Sequence, residues 1–326
     1  MRILVTGGAG FIGSHYVRTV LAGGYPGFEE AGVTVLDRLT YAGNTANLPM
    51  GHPRLDFVRG DIGNAELLSH VLPGHDAVVH FAAESHVDRS IDGGAAFVHS
   101  NVLGTQTLLD AALAAGVGPF VHVSTDEVYG SIAEGSWDEE EPLRPNSPYS
   151  ASKAGGDLLA RAYHRTHGLD VRITRCPNNY GTHQHVEKLI PNFVTRLLRG
   201  MPVPLYGDGS HVREWLHVAD HCRGVQLVLT RGRPGQIYNI GGATALSNRD
   251  MTRRLLRLCG ADWSRVQHVP DRKGHDPRYS VNDGKIRAEL GYAPRESFDS
   301  ALREVVEWYR DNPGWWTPLT GTGGAR

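Results

Sequence analysis

The sequence predicts an α/β protein built on a doubly wound parallel sheet, with a smaller α/β lobe in its C-terminal half. Short apolar runs rich in β-branched residues alternate with helical patterns through the first half of the chain. These runs are nearly continuous, as expected of parallel strands that helices cover on both faces. Regular alternation of such strands with helices is the pattern of a doubly wound sheet.

Six strands and three helices are expected in the first half. The strands cover residues 2–6, 33–37, 55–59, 77–81, 120–124 and 171–175, and the helices cover 13–22, 104–115 and 152–166. Beyond Cys176, prolines and Gly-rich turns interrupt this pattern. We therefore expect two interleaved domains, 1–175 and 176–326, with a strand near 236–240 returning to the main sheet. An amphipathic helix near 300–310 should present Leu302, Val305, Val306 and Tyr309 on one face.

Composition favours a globular protein of a reducing compartment. Charged residues make up 21% of the chain and the formal net charge is -2, so no nucleic-acid partner is expected. Cys176, Cys222 and Cys259 are widely spaced, which argues against a disulfide framework and a zinc ribbon. No run approaches the roughly 18 to 20 apolar residues of a membrane span, and the N-terminus does not resemble a secretory signal. A cytoplasmic protein without a membrane partner is expected.

A Gly-rich turn follows the first predicted strand. Gly7, Gly10 and Gly13 let the backbone turn tightly, approach a pyrophosphate and pack the next helix against the strand. The N-terminus of that helix offers free N–H groups and the positive end of its dipole. Asp37 closes the second strand, 24 residues beyond Gly13, where a carboxylate accepts ribose hydroxyls and repels a 2′-phosphate. NAD is therefore the expected cofactor, and we interpret the neighbouring Arg38 as a solvated surface charge.

Residues after the third and fourth strands are expected to line the path of the cofactor. Asp61 and Ile62 follow the third strand, and Phe81, Ala82 and Ala83 follow the fourth. Ligands of open α/β sheets bind at the carboxyl ends of the strands. We expect the adenine and ribose of the cofactor to run along these strand ends.

The catalytic pattern follows the fifth strand. Thr125, Asp126 and Glu127 come at its end, and a Tyr149-x-x-x-Lys153 pair opens a helix about 20 residues later. At a spacing of four, the two side chains lie on one helix face, where the ammonium is expected to lower the pKa of the phenol. A tyrosinate can then serve as a base at a carbinol, with Thr125 hydrogen-bonded to the same oxygen. The adjacent acids can reach one substrate if the chain has already left the strand, because consecutive strand residues point to opposite faces.

These motifs resemble those of the extended short-chain dehydrogenase/reductase superfamily, which has a Rossmann-type sheet, and within it the dTDP-glucose 4,6-dehydratases. The resemblance is carried by residues 7–14, 39–44, 81–91, 124–130, 149–153, 175–191 and 273–279. It implies dehydration of dTDP-glucose to its 4-dehydro-6-deoxy form, with hydride passing from C4 to NAD and then to C6. Tyr149 would remove the C4 hydroxyl proton, Glu127 the C5 proton, and Asp126 would protonate the departing C6 hydroxyl. We therefore expect burial and neighbouring negative charge to raise the pKa of Asp126.

Two sets of binding residues follow from the resemblance. The expected NAD contacts are Gly7, Gly10, Phe11, Ile12, Gly13, Asp37, Leu39, Thr40, Gly43, Asp61, Ile62, Phe81, Ala82, Ala83, Ser85, Ser100, Tyr149, Lys153 and Asn179. The expected nucleotide-sugar contacts are Ser85, His86, Thr125, Asn178, Glu187, Lys188, Leu189, Pro204, Tyr206, Arg213, Asn248, Arg272, His275 and Tyr279. A diphosphate needs planar, bidentate cations, and arginine supplies them.

Two rival functions share part of the pattern. An NAD-dependent nucleotide-sugar 4-epimerase would use Tyr149 and Lys153 but has no need of Asp126 and Glu127. A non-catalytic NAD-sensing protein would keep the fold and would be expected to lose the Tyr-Lys pair. The base of the nucleotide and the pathway served are left open. The resemblance further implies a homodimer packed through the helices at 104–115 and 152–166.

The loop that leads to the second lobe departs from the pattern it resembles. A small residue and two prolines are usual where this chain has, in order, Pro177, Thr182 and Val186. His183, His185 and His211 also give the lobe a high density of histidine. They lack a metal-binding spacing. We therefore expect polar loop residues and no metal.

Overall fold

The computed structural model describes residues 1–242 and 244–320, so the end of the predicted second domain, 321–326, lies outside the described residues. The strands are β1 Arg2–Thr6, β2 Gly32–Asp37, β3 Leu55–Arg59, β4 Ala77–His80, β5 Phe120–Thr125, β6 Val171–Cys176, β7 Asn178–Tyr180, β8 Val203–Tyr206, β9 Val212–His217, β10 Ile237–Asn239, β11 Thr244–Ser247 and β12 Val266–Val269. The α-helices are α1 Phe11–Leu21, α2 Ala65–Val71, α3 Val87–Asp92, α4 Ala95–Val98, α5 Thr105–Ala114, α6 Pro148–His167, α7 Leu189–Leu198, α8 Val218–Arg231, α9 Asn248–Leu258, α10 Gly284–Leu290, α11 Phe298–Asp311 and α12 Pro313–Trp316. Single 3₁₀ turns cover Thr45–Asn47, Asp126–Tyr129, Trp263–Arg265 and Thr317–Thr320, and a π-helical turn covers His99–Gly104.

Seven strands form one sheet in the order β10-β6-β5-β4-β1-β2-β3. Every neighbouring pair is parallel. The predicted fold class is confirmed, and the strand bounds differ from the predicted ones by at most one residue. The predicted return strand is β10, which joins the edge of the sheet with Ile237 opposite Ile173. The strand order reverses between β1 and β4, and such a switch point is where open α/β sheets bind ligands.

The side chains of β1 explain why the central strands are apolar throughout. Ile3 and Val5 face a core cluster that also contains residues of α1 and α8. Leu4 faces the opposite cluster, together with residues of α2 and α5. All three side chains are fully buried. Helices therefore close both faces of the sheet, and only the ends of the strands are left to form a site.

The helices differ from the predicted ones mainly at their N-termini. Helix α6 begins at Pro148, four residues before the expected start, because the Ser147 side chain caps it by accepting a hydrogen bond from the Ser150 N–H. A π-helical turn that was not predicted from the sequence precedes α5, and such turns are frequent at functional sites. Helix α6 has 20 residues. Neither it nor any other described helix is apolar enough over a sufficient length to cross a membrane.

The remaining strands and helices pack around a third core cluster. Strands β11, β9 and β7 form one small sheet, and β12 and β8 form another. Helix α11 contributes its predicted face, and Leu302, Val305, Val306 and Tyr309 are at most 1% exposed. Strand β7 follows β6 almost directly and pairs with β9, with Asn178 beside Trp215. The chain therefore passes into these elements at the carboxyl edge of the main sheet.

Gly156 lies where α6 crosses the π-helical turn, and a Cβ atom there would come within 2.7 Å of the Asn101 carbonyl oxygen. This backbone atom cannot move aside. We expect Gly156→Ala to lower the free energy of unfolding by about 1 to 3 kcal/mol, although alanine is the better helix former. Urea denaturation measures the change. The matched control is Gly155→Ala, whose Cβ would meet only the half-buried Val102 side chain, at 3.1 Å. Equal losses for the two variants would contradict this account.

Candidate active site

The Gly-rich turn brings the start of α1 against the ends of β1 and β4. Gly7 has a φ of 70°, and a Cβ there would lie 2.5 Å from the backbone nitrogen of Ala82. A Cβ at Gly13 would lie 2.4 Å from the Gly7 carbonyl oxygen. Gly10 precedes the helix and provides no side-chain cap. The N–H groups of the first turn of α1 can therefore hold an anion, and a pyrophosphate fits this position.

Asp37 ties the end of β2 to this turn. Its carboxylate accepts hydrogen bonds from the N–H groups of Ala9 (3.0 Å) and Leu39 (2.8 Å). Burial raises its pKa, and these two hydrogen bonds oppose the shift. Leu39 does not line the cavity described below, and its contact with the cofactor stays a prediction. Its side chain packs against the core while its backbone, at a φ of 57°, donates to Asp37.

The interpretation of Arg38 as a solvated surface charge is wrong. Its guanidinium donates to Asp61 at 2.9 Å and to Glu84 at 2.6 Å, and about a third of the side chain is exposed. The two carboxylates come from the loops after β3 and β4. Arg38 therefore bridges the ends of neighbouring strands beside the position expected for the cofactor ribose.

A cavity of about 270 Å³ runs along these strand ends. Every predicted NAD contact except Leu39 lines it. Several other lining residues were not predicted from the sequence, among them Glu84, Cys176 and Gln184. Cys176 ends β6, and Glu84 follows Ala83 in the loop after β4, so both occupy the strand-end region in which cofactor contacts are expected.

The two predicted catalytic acids leave the sheet together. Strand β5 ends at Thr125, and a 3₁₀ turn begins at Asp126. The Thr125 hydroxyl accepts a hydrogen bond from the Glu127 N–H at 3.3 Å and lies 3.3 Å from Asp126 Oδ1. The chain has therefore left the strand before the two acids occur, which is required if both are to reach one substrate. Both carboxyl groups line the cofactor cavity.

Burial dominates the electrostatics of this pair. Burial, followed by the negative charges of Glu127 and Glu214, raises the pKa of Asp126 well above its ordinary value, which confirms the predicted shift. Burial also raises the pKa of Glu127, but the cations Arg213 and Lys188 oppose that shift. The two neighbours are therefore differentiated, with Asp126 more suited to hold a proton and Glu127 more suited to lose one.

Helix α6 carries Tyr149 and Lys153 into the same cavity. The Lys153 ammonium donates to the Val123 carbonyl oxygen at 2.8 Å, and burial lowers its pKa to about 8. Burial, and then the charge of Glu127, raises the pKa of Tyr149 well above its ordinary value, while a hydrogen bond with the Thr125 side chain lowers it. The expectation that Lys153 depresses the pKa of this phenol is therefore not met. The ammonium is engaged with a backbone carbonyl, and desolvation of the phenolate is the larger effect.

A second cavity, of about 210 Å³, continues from the first. Every predicted nucleotide-sugar contact lines it except Thr125, which lines the cofactor cavity instead. Four residues line both cavities, and these are Ser85, Glu127, Asn178 and Lys188. The end of β5 thus separates a long cofactor cleft from a substrate cleft, and Glu127 lies at their junction.

Cations and acids face one another across the second cavity. Arg272 donates from Nη2 to Asp88 at 2.9 Å and has its Nε 2.5 Å from the same carboxylate, and Arg89 forms a bidentate pair with Glu187. These two ion pairs join α3, beyond β4, to the loops that precede α7 and α10. The Arg213 guanidinium lies 4.7 Å from the centre of the Tyr279 ring. Planar cations are therefore present where a diphosphate is expected.

The histidines of the second lobe make ring contacts. His183 packs against Trp308 with ring centres 4.3 Å apart and ring planes tilted by 44°, and His185 meets the edge of Tyr41. In the described part of the chain, His211, Asp271 and His275 are the group whose ligand atoms lie close enough to share a metal ion. Asp271 already hydrogen-bonds His275 Nδ1 at 2.7 Å, and the two imidazoles stack 3.8 Å apart. We interpret this group as a hydrogen-bonded cluster, so the absence of a metal stays a prediction.

The chain matches the family model described as GDP-mannose 4,6 dehydratase over residues 4–305. It is 60% identical over 321 residues to a dTDP-glucose 4,6-dehydratase of Streptomyces niveus, covering 98% of this chain and 96% of the relative. It is 62% identical over 320 residues to the enzyme of that name from Streptomyces antibioticus, covering 98% and 95%. The solved structure of DesIV, a dTDP-glucose 4,6-dehydratase from Streptomyces venezuelae with NAD and TYD bound, is 65% identical, with a TM-score of 0.97 over 98% of this chain and 100% of DesIV. This chain therefore belongs to the family described as GDP-mannose 4,6 dehydratase and, within it, to the dTDP-glucose 4,6-dehydratases.

Proposed function

We propose that this protein removes water from dTDP-glucose to form the 4-dehydro-6-deoxy sugar nucleotide. The observation that carries the proposal is that Asp126, Glu127 and Tyr149 all line the cofactor cavity, with Glu127 at its junction with the second cavity. Dehydration needs a proton donor and a proton acceptor in addition to the base that acts at a carbinol. The relatives named dTDP-glucose 4,6-dehydratases indicate the nucleotide and the sugar.

NAD is the cofactor, and the chain fits it in three respects. The start of α1 is open to a pyrophosphate, and Asp37 lies at the end of β2 where the ribose is expected. Asp61 and Glu84 pair with Arg38, and these carboxylates, together with Asp37, place negative charge where a 2′-phosphate would lie. When bound, NAD accepts a hydride from C4 of the glucose unit and returns it to C6.

The chain's own residues move the protons of the reaction. Tyr149 takes the C4 hydroxyl proton, with the Thr125 hydroxyl beside it. The ketone at C4 acidifies the hydrogen on C5, and Glu127 removes that proton. Asp126, whose pKa burial raises, holds a proton near neutral pH and gives it to the departing C6 hydroxyl. Lys153 fixes the start of α6 through its hydrogen bond to β5.

The second cavity is proposed to bind the nucleotide diphosphate. Arg213, Arg272 and Lys188 line it, and they supply cations to phosphate oxygens. We propose the division of the chain on the same basis, with residues 1–175 forming the NAD-binding domain and 176–326 the substrate lobe. The domains are interleaved, since β10 belongs to the main sheet.

The rival functions are less compatible with this site. A nucleotide-sugar 4-epimerase has no need of a buried, protonated acid. Burying the Asp126 carboxyl costs free energy, and this cost serves a function in a dehydratase, which needs a proton donor. An NAD-sensing protein without catalysis has no need of the four reacting groups Asp126, Glu127, Tyr149 and Lys153, which all line one cavity. Dehydration uses each of these groups.

A homodimer is proposed through α5 and α6. Three large apolar side chains are about half exposed on this side, with Val98 at 54%, Leu103 at 49% and Leu158 at 55%. They belong to α4, to the π-helical turn and to α6, which contact one another. Exposed apolar side chains that cluster are typical of protein interfaces.

The free cysteines also support the cytoplasm as the proposed location.

The deciding assay offers dTDP-, UDP-, CDP- and GDP-glucose to the purified protein with NAD. We expect a 4-keto-6-deoxy product, with the highest kcat/KM for dTDP-glucose.

Asp126→Asn should lower the dehydration rate roughly 10²- to 10⁴-fold, the usual contribution of a positioned acid. Oxidation at C4, followed by the absorbance of NADH, should persist in that variant. A product that differs from glucose only at C4, or full dehydration by Asp126→Asn, would contradict the proposal.

Asp126→Asn should also leave the fold no less stable at neutral pH. The raised pKa of Asp126 means that the folded state binds this proton more tightly than the unfolded chain does. Its contribution to stability is therefore full at low pH and is lost as pH rises from about 4 towards the raised value. The stability of the variant relative to the wild type should accordingly improve as pH rises from about 4 to about 8.

Thermal melting at several pH values measures this effect. Asp92→Asn, at an exposed site at the end of α3, is the control and should show no such trend. An Asp126→Asn protein that loses the same stability at every pH would argue against a protonated, buried Asp126.

The dimer is tested by Leu158→Glu, which places a charge in the proposed interface. We expect the wild type to elute as a dimer in size-exclusion chromatography with light scattering, and the variant to shift towards the monomer. Met50→Glu, at a side chain that is 53% exposed outside this patch, is the matched control and should stay dimeric. A monomeric wild type at micromolar concentration would exclude the dimer.

A further inference from the structure

Asn47 ends the 3₁₀ turn that follows β2, and its side chain holds the Gly-rich turn from outside the cofactor cavity. The residue is 2% exposed, and its Nδ2 donates a hydrogen bond to the Ala9 carbonyl oxygen at 2.9 Å. The Asn44 N–H donates to the same oxygen at 3.0 Å. On its other side, Ala9 donates its N–H to the Asp37 carboxylate at 3.0 Å. Both polar groups of this backbone position in the turn are therefore fixed, one of them by the Asn47 amide.

The other end of the Asn47 amide is bound by the C-terminal part of the chain. The indole N–H of Trp315, 268 residues away in α12, donates to Asn47 Oδ1 at 2.9 Å. An indole N–H can only donate and a backbone carbonyl can only accept, so the two partners allow one orientation of the amide. In addition, Arg18 of α1 donates to the Asn47 carbonyl oxygen at 2.6 Å. Asn47 thus connects the Gly-rich turn, α1 and the C-terminal helices.

Trp315 also packs against a strained loop of the second lobe. Its ring meets the edge of the His183 ring, with centres 5.6 Å apart, and Trp308 covers the same imidazole at 4.3 Å. His183 has a φ of 64°, which is uncommon for a residue other than glycine. Such a conformation persists only where the surrounding structure holds it. The two indoles therefore hold this loop in place.

The same loop forms part of the wall of the cofactor cavity. Gln184, the next residue, lines the cavity and donates from Nε2 to the carbonyl oxygen of Asn179, which also lines it, at 2.9 Å. The Tyr309 hydroxyl of α11 donates to the Gln184 carbonyl oxygen at 2.5 Å. The C-terminal helices therefore contact both sides of the cavity, through Gln184 on one side and through Asn47 and the Gly-rich turn on the other.

Hydride return gives this connection a purpose. In the proposed reaction the hydride taken from C4 goes back to C6 of the same sugar, so the reduced cofactor has to stay bound between the two transfers. A binding site that is held in its bound conformation in advance loses less entropy when the ligand binds. Differences in affinity between related complexes lie mostly in the dissociation rate. A hydrogen bond that fixes the Gly-rich turn is therefore expected to slow cofactor release.

We propose that Asn47 and Trp315 are positioning residues that retain the dinucleotide, by linking the Gly-rich turn to the C-terminal helices. Both side chains lie outside the set that lines the cavity, so they act through the Ala9 backbone. The need for retention rests on the proposed function, whereas the link itself rests on the two hydrogen bonds of the Asn47 amide.

The test measures release of NADH in the absence of any sugar nucleotide. The protein is loaded with NADH and mixed with excess NAD, and the change in NADH fluorescence gives the dissociation rate. Trp315→Phe keeps an aromatic ring beside His183 and removes the N–H that Asn47 Oδ1 accepts. We expect NADH to leave roughly 5- to 20-fold faster, because a buried amide oxygen is left without its donor. Excess NAD should restore activity that the desalted variant lacks.

Trp316→Phe is the matched control. The Trp316 indole donates to the Tyr309 carbonyl oxygen at 2.7 Å, so this variant loses the same kind of hydrogen bond within the C-terminal helices. Its NADH release rate should equal that of the wild type. Equal acceleration in the two variants would overturn the proposal, since general loosening of the C-terminal helices would then be the cause. Unchanged release from Trp315→Phe would also overturn it.

A double-variant cycle tests whether the two residues act through one link. Asn47→Ala should also accelerate NADH release, and adding Trp315→Phe to it should bring no further acceleration. Effects of the two substitutions that multiply would contradict the link. Asn47→Ala provides the primary test if Trp315→Phe does not fold, which urea denaturation checks. Failure of the proposed function is distinguishable, because release is measured without substrate and does not depend on which product the enzyme makes.

Discussion

Desolvation at the end of β5 is the constraint on which the site depends. Helices bury both faces of the sheet, and the second lobe covers its carboxyl edge, so the polar groups at that edge are withdrawn from water. The carboxyl of Asp126 responds by holding its proton, and the pKa of the Lys153 ammonium falls to about 8. Charges would be too well solvated for these roles in an open cleft.

A buried ionic cluster joins the elements that carry the catalytic residues. Asp157 of α6 accepts a hydrogen bond from Arg175 of β6 at 2.8 Å and lies 3.3 Å from His122 of β5. The Arg175 guanidinium lies 4.7 Å from the centre of the Tyr129 ring in the acid-bearing turn. A buried ion pair adds little net stability, but removing one partner leaves the other unpaired at a cost of about 3 to 5 kcal/mol. Helix α6, strands β5 and β6 and the acid-bearing turn are therefore held together by groups of which none can be removed without leaving another unpaired.

Several features were predictable because they depend on local sequence. The order of apolar runs predicted the parallel sheet, and the return of β10 was also expected, since a short apolar run ending in Gly241-Gly242 has the form of a strand. The Gly-rich turn and Asp37 predicted where a cofactor would lie. The pairing of Asp126 with Glu127 distinguished dehydration from simpler hydride chemistry. The strands, the turn and Asp37 require only residue type and spacing, whereas the roles of Asp126 and Glu127 in dehydration also rest on the resemblance to a known family.

Other features were decided only by the tertiary structure, because they depend on groups far apart in the chain. Arg38 is bound by two carboxylates from the loops after other strands, although it was interpreted as a solvated surface charge, and the Leu39 side chain packs against the core. The pKa of Tyr149 rises where the spacing to Lys153 predicted a fall, since burial and the position of the ammonium come from packing. The sequence by itself determined which chemical groups are present and in what order. Packing determined which of them are dry, which are paired, and therefore which can exchange a proton.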